Sequence, residues 1–585
     1  MDIYAHQTHH LVANFEEIFS YLETNFSTNT PKGLHLFPEL FLCGYPLRDL
    51  CLQKNFIKAY QAFITKIDKW STEQKDDQEI ALLLGGLRYE FEENELPKTI
   101  ENVIYLLRPG HKLEYLYTKK LLPNYDIFDE KKYFIPGVKT VVWNFMNKNI
   151  GLTICEDMWA SHIHTEDPIM DLKNHCDKNK IKLDLIVNLS ASPFNIGKNE
   201  RRIERASVIS HLLKAPFIYV NKVGGEDEIL FDGSSFLISG DEIDTRGKIF
   251  EEDLLHFMDP VYSPIKNNYS PNQIIKDNTW EALFSPSLDK SVRPAQIISL
   301  TDKSCEIILE ALKFGIREYA EKCGFNNFLV ALSGGIDSSL VLAITRLALK
   351  EGEGLEAIYM PGFFSATLSY DLSNALCKNL GLKLKNFPIK FFHSAIRNAY
   401  KDNFGKAMEG LTDENIQSRM RGMLLYARAN DLNAMVLNTS NKSEIAVGYS
   451  TQYGDSVGAL SVLGDLYKTE VFALAKYINK RYKNLIPEEI ITRPPTAELR
   501  ENQLDSQSLP PYDRLDPILE ALLSYRMSLS EMTALGFSKD EVDKVHRLWK
   551  NSEFKRYQFC PILKVKSKSF GFGHRVPICK HANIA

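Results

Sequence analysis

Two separate groups of residues in this chain have the types and order that chemistry needs. In FLVALSGGIDSSLVLAI, residues 328–344, an apolar run passes through Ser333-Gly334-Gly335-Ile336-Asp337-Ser338-Ser339 directly into a second apolar run. Two glycines let the backbone curl closely around a phosphate. A helix that begins at once behind them offers free N–H groups and a partial positive charge. The hydroxyls of Ser333, Ser338 and Ser339 add donors. Asp337 is out of place beside a bare anion, because a carboxylate repels phosphate unless Mg²⁺ lies between them. No Gly-Lys-Ser/Thr follows, so the loop is not of the Walker type.

The second group is spread over the first half: Glu39 in LFPEL, Lys119 in YTKKLLPNYDIFDE and Cys155 in TICEDMW. An unassisted thiol with a pKa of about 8.5 is only slightly ionised at neutral pH. A neighbouring Glu can take its proton, and a Lys can stabilise the thiolate and the oxyanion formed when an amide is attacked. Such a set suffices for amide hydrolysis through a thioester, with ammonia leaving first. Each residue alone has a plain structural reading: a strand Cys packs as a small hydrophobe, and a Lys-Lys pair is a solvated face. Cys43, next to the Gly-Tyr-Pro turn, is read that way.

The elements around these residues indicate layered α/β architecture. Apolar runs at 33–42, 79–89, 101–110, 148–157, 183–192, 215–225 and 234–241 read as buried strands between helices. Glu39 and Cys155 fall at the ends of such strands, and Lys119 in a polar loop. Between Pro260 and Pro294 the sequence is rich in Pro, Ser and Asn and loses periodicity, as a linker does. A helix then starts near Asp302, read as its cap, and stops at Gly324. The expected domains are 1–260 and 301–585, with a linker at 261–300. At 585 residues, 44% of them hydrophobic, two large cores are expected. A net charge of -5 argues against a nucleic-acid-coating or membrane-surface protein. The longest apolar run, Ile80 to Leu87, falls far short of the roughly 20 residues of a membrane span. The 9 cysteines lack zinc spacing, and the N-terminus lacks a signal-peptide pattern, which together suggest a reducing cytoplasm.

The loop at Ser333 resembles the PP-loop of ATP pyrophosphatases, a superfamily that includes NAD, GMP and asparagine synthetases and tRNA-modifying enzymes. Downstream, ENIQSRMRGMLLYARAN, MVLNTSNKSEIAVGYSTQYGD, LYKTEVFALA and RPPTAEL are similar to segments of NAD synthetases. FPEL…GYP, K..LPNY..FDEKKYF and ICEDMW resemble, in order, the nitrilase-type glutaminase domain of two-domain NAD synthetases. The resemblance covers nearly the whole chain. It implies a nitrilase-like α-β-β-α sandwich followed by a doubly wound parallel sheet.

It also implies roles. Glu39, Lys119 and Cys155 would be catalytic, while Tyr45, Tyr125, Phe128, Glu130, Ser192 and Lys198 would shape the glutamine pocket. Leu332, Ser333, Gly334, Gly335, Ile336, Asp337, Ser338, Ser339, Thr439 and Lys468 would contact ATP. Asn415, Glu444, Asp455 and Lys555 would hold deamido-NAD, with Asp337 and Glu444 also binding Mg²⁺. Ser440 and the MPGFFSA loop (360–366) depart from the usual family pattern. The implied reaction consumes glutamine, ATP and deamido-NAD in a homo-oligomer. It yields NAD, AMP, pyrophosphate and glutamate, with ammonia passed between two sites. Two alternatives stand beside it: another PP-loop glutamine amidotransferase, and an ammonia-only synthetase whose first domain is a non-catalytic module.

Overall fold

The structure, a computed structural model, describes residues 1–26, 30–92, 97–159, 164–263, 300–495, 498–500 and 509–579. The chain forms two compact units, Met1–Leu283 and Phe284–Ala585. Of the expected linker, only 261–263 and Leu300 lie within the described residues, as do all of RPPTAEL but Thr496 and Ala497.

The first unit is an α-β-β-α sandwich of two six-stranded sheets. One sheet runs, edge to edge, Asp253–Met258, Asp2–Gln7, Gly33–Leu36, Ile80–Phe91, Pro97–Leu107 and Glu114–Thr118. The other runs Glu242–Arg246, Phe236–Ser239, Phe217–Asn221, Leu185–Ser190, Lys148–Ile154 and Val142–Phe145. Strand periodicity builds the layers. Ala81 and Leu83 face Leu152, Val187 and Val220 between the sheets, while Leu82 and Leu84 point the other way. That outer face is covered by the helices Phe15–Asn25 and Lys54–Thr72, the latter burying Phe56, Tyr60, Phe63 and Ile67 at helical spacing. Pro168–Asn179 and Lys198–Leu213 cover the far face of the second sheet.

The expected run 215–225 divides: its end, Val223–Glu226, pairs instead with Ile229–Asp232 in a separate hairpin. From Ile80 to Thr118 the strands form an antiparallel meander, with no helix between them among the described residues. Asp2–Gln7, too polar to stand out in the sequence, is an inner strand whose Gln7 side chain is bonded to the Lys248 and Glu251 carbonyls.

The second unit holds a fully parallel five-stranded sheet in the order Leu384–Asn386, Gly354–Tyr359, Asn327–Leu332, Ala434–Asn438, Leu460–Ser461. This is the doubly wound order, with its topological switch between Asn327–Leu332 and Ala434–Asn438, where such folds bind ligands. The helix expected near Asp302 spans Asp302–Lys322, but its cap is Thr301, whose side chain accepts the Ser304 N–H at 3.2 Å. Asp302 is therefore the first helical residue, where its charge suits the helix dipole.

Candidate active site

In the first unit Glu39, Lys119 and Cys155 come from turns just beyond three strands, Gly33–Leu36, Glu114–Thr118 and Lys148–Ile154. Lys119 is not in a solvated loop as its sequence context suggests; it is 0% exposed. Its ammonium donates to Glu39 Oε1 at 2.7 Å and to Glu130 Oε1 and Oε2 at 2.9 and 2.8 Å. A buried ammonium persists only with such partners. Glu39 is fixed in turn: Oε1 accepts the Asn102 amide at 2.7 Å and Oε2 the Ala191 N–H at 2.9 Å. The Tyr45 hydroxyl donates to Glu130 Oε1 at 2.9 Å.

Cys155 opens a short 3₁₀ turn with φ +40, a backbone strained for a residue bearing a Cβ. Asp157 holds that turn. Its Oδ2 accepts the Ile154 N–H and the Tyr117 hydroxyl at 2.9 and 2.8 Å. Its Oδ1 accepts the N–H groups of Lys120 and Leu121 at 3.0 and 2.8 Å. One buried carboxylate thus ties the cysteine turn to the segment that follows Lys119. Sequence order hints at it only as the Asp of Cys-Glu-Asp.

The charges decide how such a site starts. Burial, and then Glu39, push the Cys155 thiol well above its ordinary range, and Lys119 offsets this only in part. That environment favours the thiol over the thiolate, and a thiol must give up its proton during attack. Burial opposes the Lys119 charge, yet Glu130 and Glu39 hold its pKa well above the usual value. Burial raises Glu130 to about 7, against the pull of Lys119.

The remaining predicted pocket residues gather nearby. Tyr125 donates to both Glu156 oxygens, at 2.9 and 3.0 Å, and meets the Phe128 ring edge-on at 5.4 Å. Ser192 follows the Ala191 amide that holds Glu39, and its carbonyl accepts Arg202 Nη2 at 2.8 Å. Lys198 is the first residue of the helix Lys198–Leu213. Burial, then repulsion by Arg202, lowers its ammonium to about 7, while charge on Cys155 works the other way. Charge on Cys155 also bears on Tyr45 and Tyr125. Cys43 donates weakly to the Leu40 carbonyl at 3.6 Å and is buried in the core, as its plain reading had it.

In the second unit, Asn327–Leu332 ends in Ser333, and the helix Ile336–Ala348 begins with Gly335 as a cap lacking any side-chain bond. Its first N–H groups meet no capping side chain, which suits a phosphate. Gly334 has φ +80, and a Cβ there would lie 2.6 Å from the Ser369 carbonyl oxygen, so only glycine fits. A cavity of about 270 Å³ opens above this loop. Leu332 through Ser338, Thr439, Ser440, Glu444, Asp455 and Lys468 line it. Ser339 does not; its hydroxyl donates to the Gly335 carbonyl at 2.7 Å, inside the helix.

Lys468 pairs with Asp337 and lies 3.3 Å from Glu444 Oε1, so both carboxylates converge on one ammonium. Asn441, which caps the helix Lys442–Val447, donates to Asp337 Oδ1 at 2.9 Å. Asn415 and Lys555 stand beside the cavity, gathered on the segment 448–455. Asn415 accepts the Thr451 hydroxyl at 2.7 Å, and Lys555 donates to the Gly448 and Ser450 carbonyls at 2.8 and 2.6 Å. Asp455 joins them, accepting the Thr451 N–H at 2.7 Å.

The cavity also contains residues the sequence reading did not single out: Tyr359, Ser418, Arg421, Arg493 and Glu498. A signal existed for two of them. Ser418, Arg421, Gly422 and Leu425 recur at helical spacing, one face of the helix Leu411–Leu432.

Comparison with known proteins agrees with this layout. Residues 308–559 match the NAD synthase family. The glutamine-dependent NAD(+) synthetase of Synechocystis sp. is 39% identical over 559 residues, covering 94% of this chain and 92% of that protein. The Thermotoga maritima protein of the same name is 34% identical, over 94% and 92% of the two chains. Among solved structures, the glutamine-dependent NAD+ synthetase of Acinetobacter baumannii in complex with ADP superposes with a TM-score of 0.67 at 30% identity. It covers 99% of this chain and 98% of that one. That of Cytophaga hutchinsonii, at 18% identity, shares the fold with a TM-score of 0.75 over 100% and 98%. With similarity running through both units, the chain belongs to the family of glutamine-dependent NAD(+) synthetases.

Proposed function

We propose that this chain makes NAD from deamido-NAD, ATP and glutamine, with Cys155 supplying the nitrogen. The observation that carries the reading is the buried Glu39–Lys119–Glu130 cluster at Cys155, the acid–base set that amide attack by a thiol needs.

As the sulfur attacks the glutamine amide carbon, Glu39 takes the thiol proton and Lys119 stabilises the oxyanion. Glu39 returns the proton to the departing nitrogen, the C–N bond breaks, and ammonia leaves a thioester. Water, deprotonated by Glu39, cleaves the thioester to glutamate and restores the thiol. Tyr45, Tyr125, Phe128 and Ser192 shape the pocket, and Lys198 pairs with the substrate α-carboxylate. Glu130 holds Lys119 charged and aimed.

In the second unit, Leu332 to Ser338, Thr439 and Lys468 hold ATP, with Ser339 supporting the loop from behind. Asn415, Glu444, Asp455 and Lys555 hold deamido-NAD. The nicotinate carboxylate oxygen attacks the α-phosphorus, and the bond to pyrophosphate breaks. Ammonia then attacks the acyl carbon, AMP leaves with the oxygen, and the surplus ammonium proton passes to water. Asp337 and Glu444 suit Mg²⁺, which binds through one or two carboxylates plus phosphates, and they already face one point at Lys468. When bound, the ion would neutralise charge on the leaving pyrophosphate.

Ammonia released into water at pH 7 would be protonated and inert, so a protected route between the sites follows from the chemistry. We assign the amidase to 1–260 and the synthetase to 301–585, working as a homo-oligomer in the cytoplasm without nucleic-acid or membrane partners. All nine cysteines are free, and among the described residues no helix is long and apolar enough to cross a membrane. Mass spectrometry of the product from deamido-NAD, ATP, Mg²⁺ and ammonium, without glutamine, tests the substrate. NAD is expected. Amination of a nucleotide base instead would replace this reading with another amidotransferase.

A further inference from the structure

Three cations line the cavity of the second unit, and their partners differ. Lys468 is matched by Asp337 and Glu444, and Arg493 by Glu498 at 2.6 Å. Arg421 forms no ion pair with a carboxylate among the described residues. Its Nε donates to the Met360 carbonyl at 2.9 Å, which fixes the plane of the guanidinium, and no side-chain acceptor among those residues meets its Nη groups. A Cβ at Gly362 would lie 3.2 Å from Nη2, so the 360–366 loop closes one side of the group.

A sheltered guanidinium with no carboxylate in direct contact is costly, because its desolvation is repaid only in part inside the protein. Burial accordingly lowers its pKa, and the pull of Tyr359, Glu498 and Asp455 restores only part of it. The neighbouring cations show that this wall does supply carboxylates where the fold itself needs them. At Arg421 no carboxylate among the described residues comes within ion-pair distance, and the side chain lines the cavity.

We propose that Arg421 is the anion receptor of this cavity, pairing with a phosphate oxygen of a bound nucleotide. This rests on the cavity being the nucleotide site. The phosphate belongs either to ATP or to the dinucleotide, and in both cases it supplies the direct ion pair that no described carboxylate makes. Lys468, saturated by its two carboxylates, cannot fill that role until a metal competes for them.

The test uses the full-length enzyme and the variants R421K, R421Q and R421A. Affinity for ATP alone and for deamido-NAD alone is measured by calorimetry, and turnover is followed with ammonium as nitrogen source. Loss of a charged hydrogen bond in a sheltered site predicts about ten- to a hundredfold weaker binding of one ligand for R421Q. The ligand affected identifies the phosphate. Added guanidinium should restore part of the lost binding to R421A, a rescue that a packing role would not give, while R421K retains an intermediate affinity. Both affinities within about twofold of wild type in a folded R421Q, judged by circular dichroism, overturn the proposal. Failure of the wild-type enzyme itself to bind ATP or deamido-NAD would overturn the nucleotide reading, whatever Arg421 does.

Discussion

The two active regions treat charge in opposite ways. Around Cys155 the balance is built in: Lys119 sits between Glu39 and Glu130, Asn102 and Ala191 saturate Glu39, and Asp157 is satisfied by four donors. In the second unit it is unfinished. Two carboxylates share Lys468, Arg421 has no carboxylate of its own among the described residues, and the helix behind Gly335 lacks a side-chain cap. The difference follows the substrates. A neutral side-chain amide brings no charge at the bond to be broken, so the amidase must hold its electrostatics ready. A nucleotide brings several phosphate charges, so its cradle waits for them.

The largest effect that sharpens this contrast is on nitrogen source. Cys155→Ala should lower glutamine-driven NAD formation by about 10³-fold or more while ammonium-driven formation stays near wild type. Steady-state assays with each donor check this, and unchanged glutamine-driven turnover would favour the binding-module alternative. If Asp337 holds the metal as proposed, Asp337→Asn should cut turnover with both donors by about 10²-fold, read as AMP released, because both reactions share that site.

Glu130→Gln should slow only the glutamine reaction, by about ten- to a hundredfold. Lys119 keeps one anionic partner but loses its aim, and misplacement of catalytic groups is expensive in rate. A subtler effect is on pH. The lowered pKa of Lys198 means that its charge is fully present below about 7 and is lost as pH rises through it. If Lys198 holds the substrate carboxylate, kcat/KM for glutamine should fall as pH rises through about 7, and Lys198→Arg should flatten that limb. A wild-type profile flat through pH 7 would remove Lys198 from substrate binding.

Much of this was legible in the linear sequence where the signal is local. The glycine loop, its flanking strand and its helix are contiguous, and Cys155 follows directly on a strand as the periodicity indicated. The run 33–42, by contrast, stops as a strand at Leu36 and leaves Glu39 in the turn beyond. What escaped depends on distant partners. Lys119 looks like a surface lysine because its letters do not show that Glu39, 80 positions earlier, will enclose it. Asp157 gains meaning only from N–H groups on the segment after Lys119. Asp2–Gln7 is polar, yet it is an inner strand because the Gln7 side chain finds carbonyls more than 240 residues away. Arg421 lay within a quoted motif, but only the fold shows that it lines the cavity with no described carboxylate paired to it.

The most direct measurement is the fate of the glutamine nitrogen. With amide-¹⁵N-glutamine, ATP, Mg²⁺ and deamido-NAD, the NAD formed should carry the label in its carboxamide, and Cys155→Ala should yield none. Unlabelled product from wild-type enzyme in the absence of added ammonium, or undiminished labelling by the cysteine variant, would contradict the account.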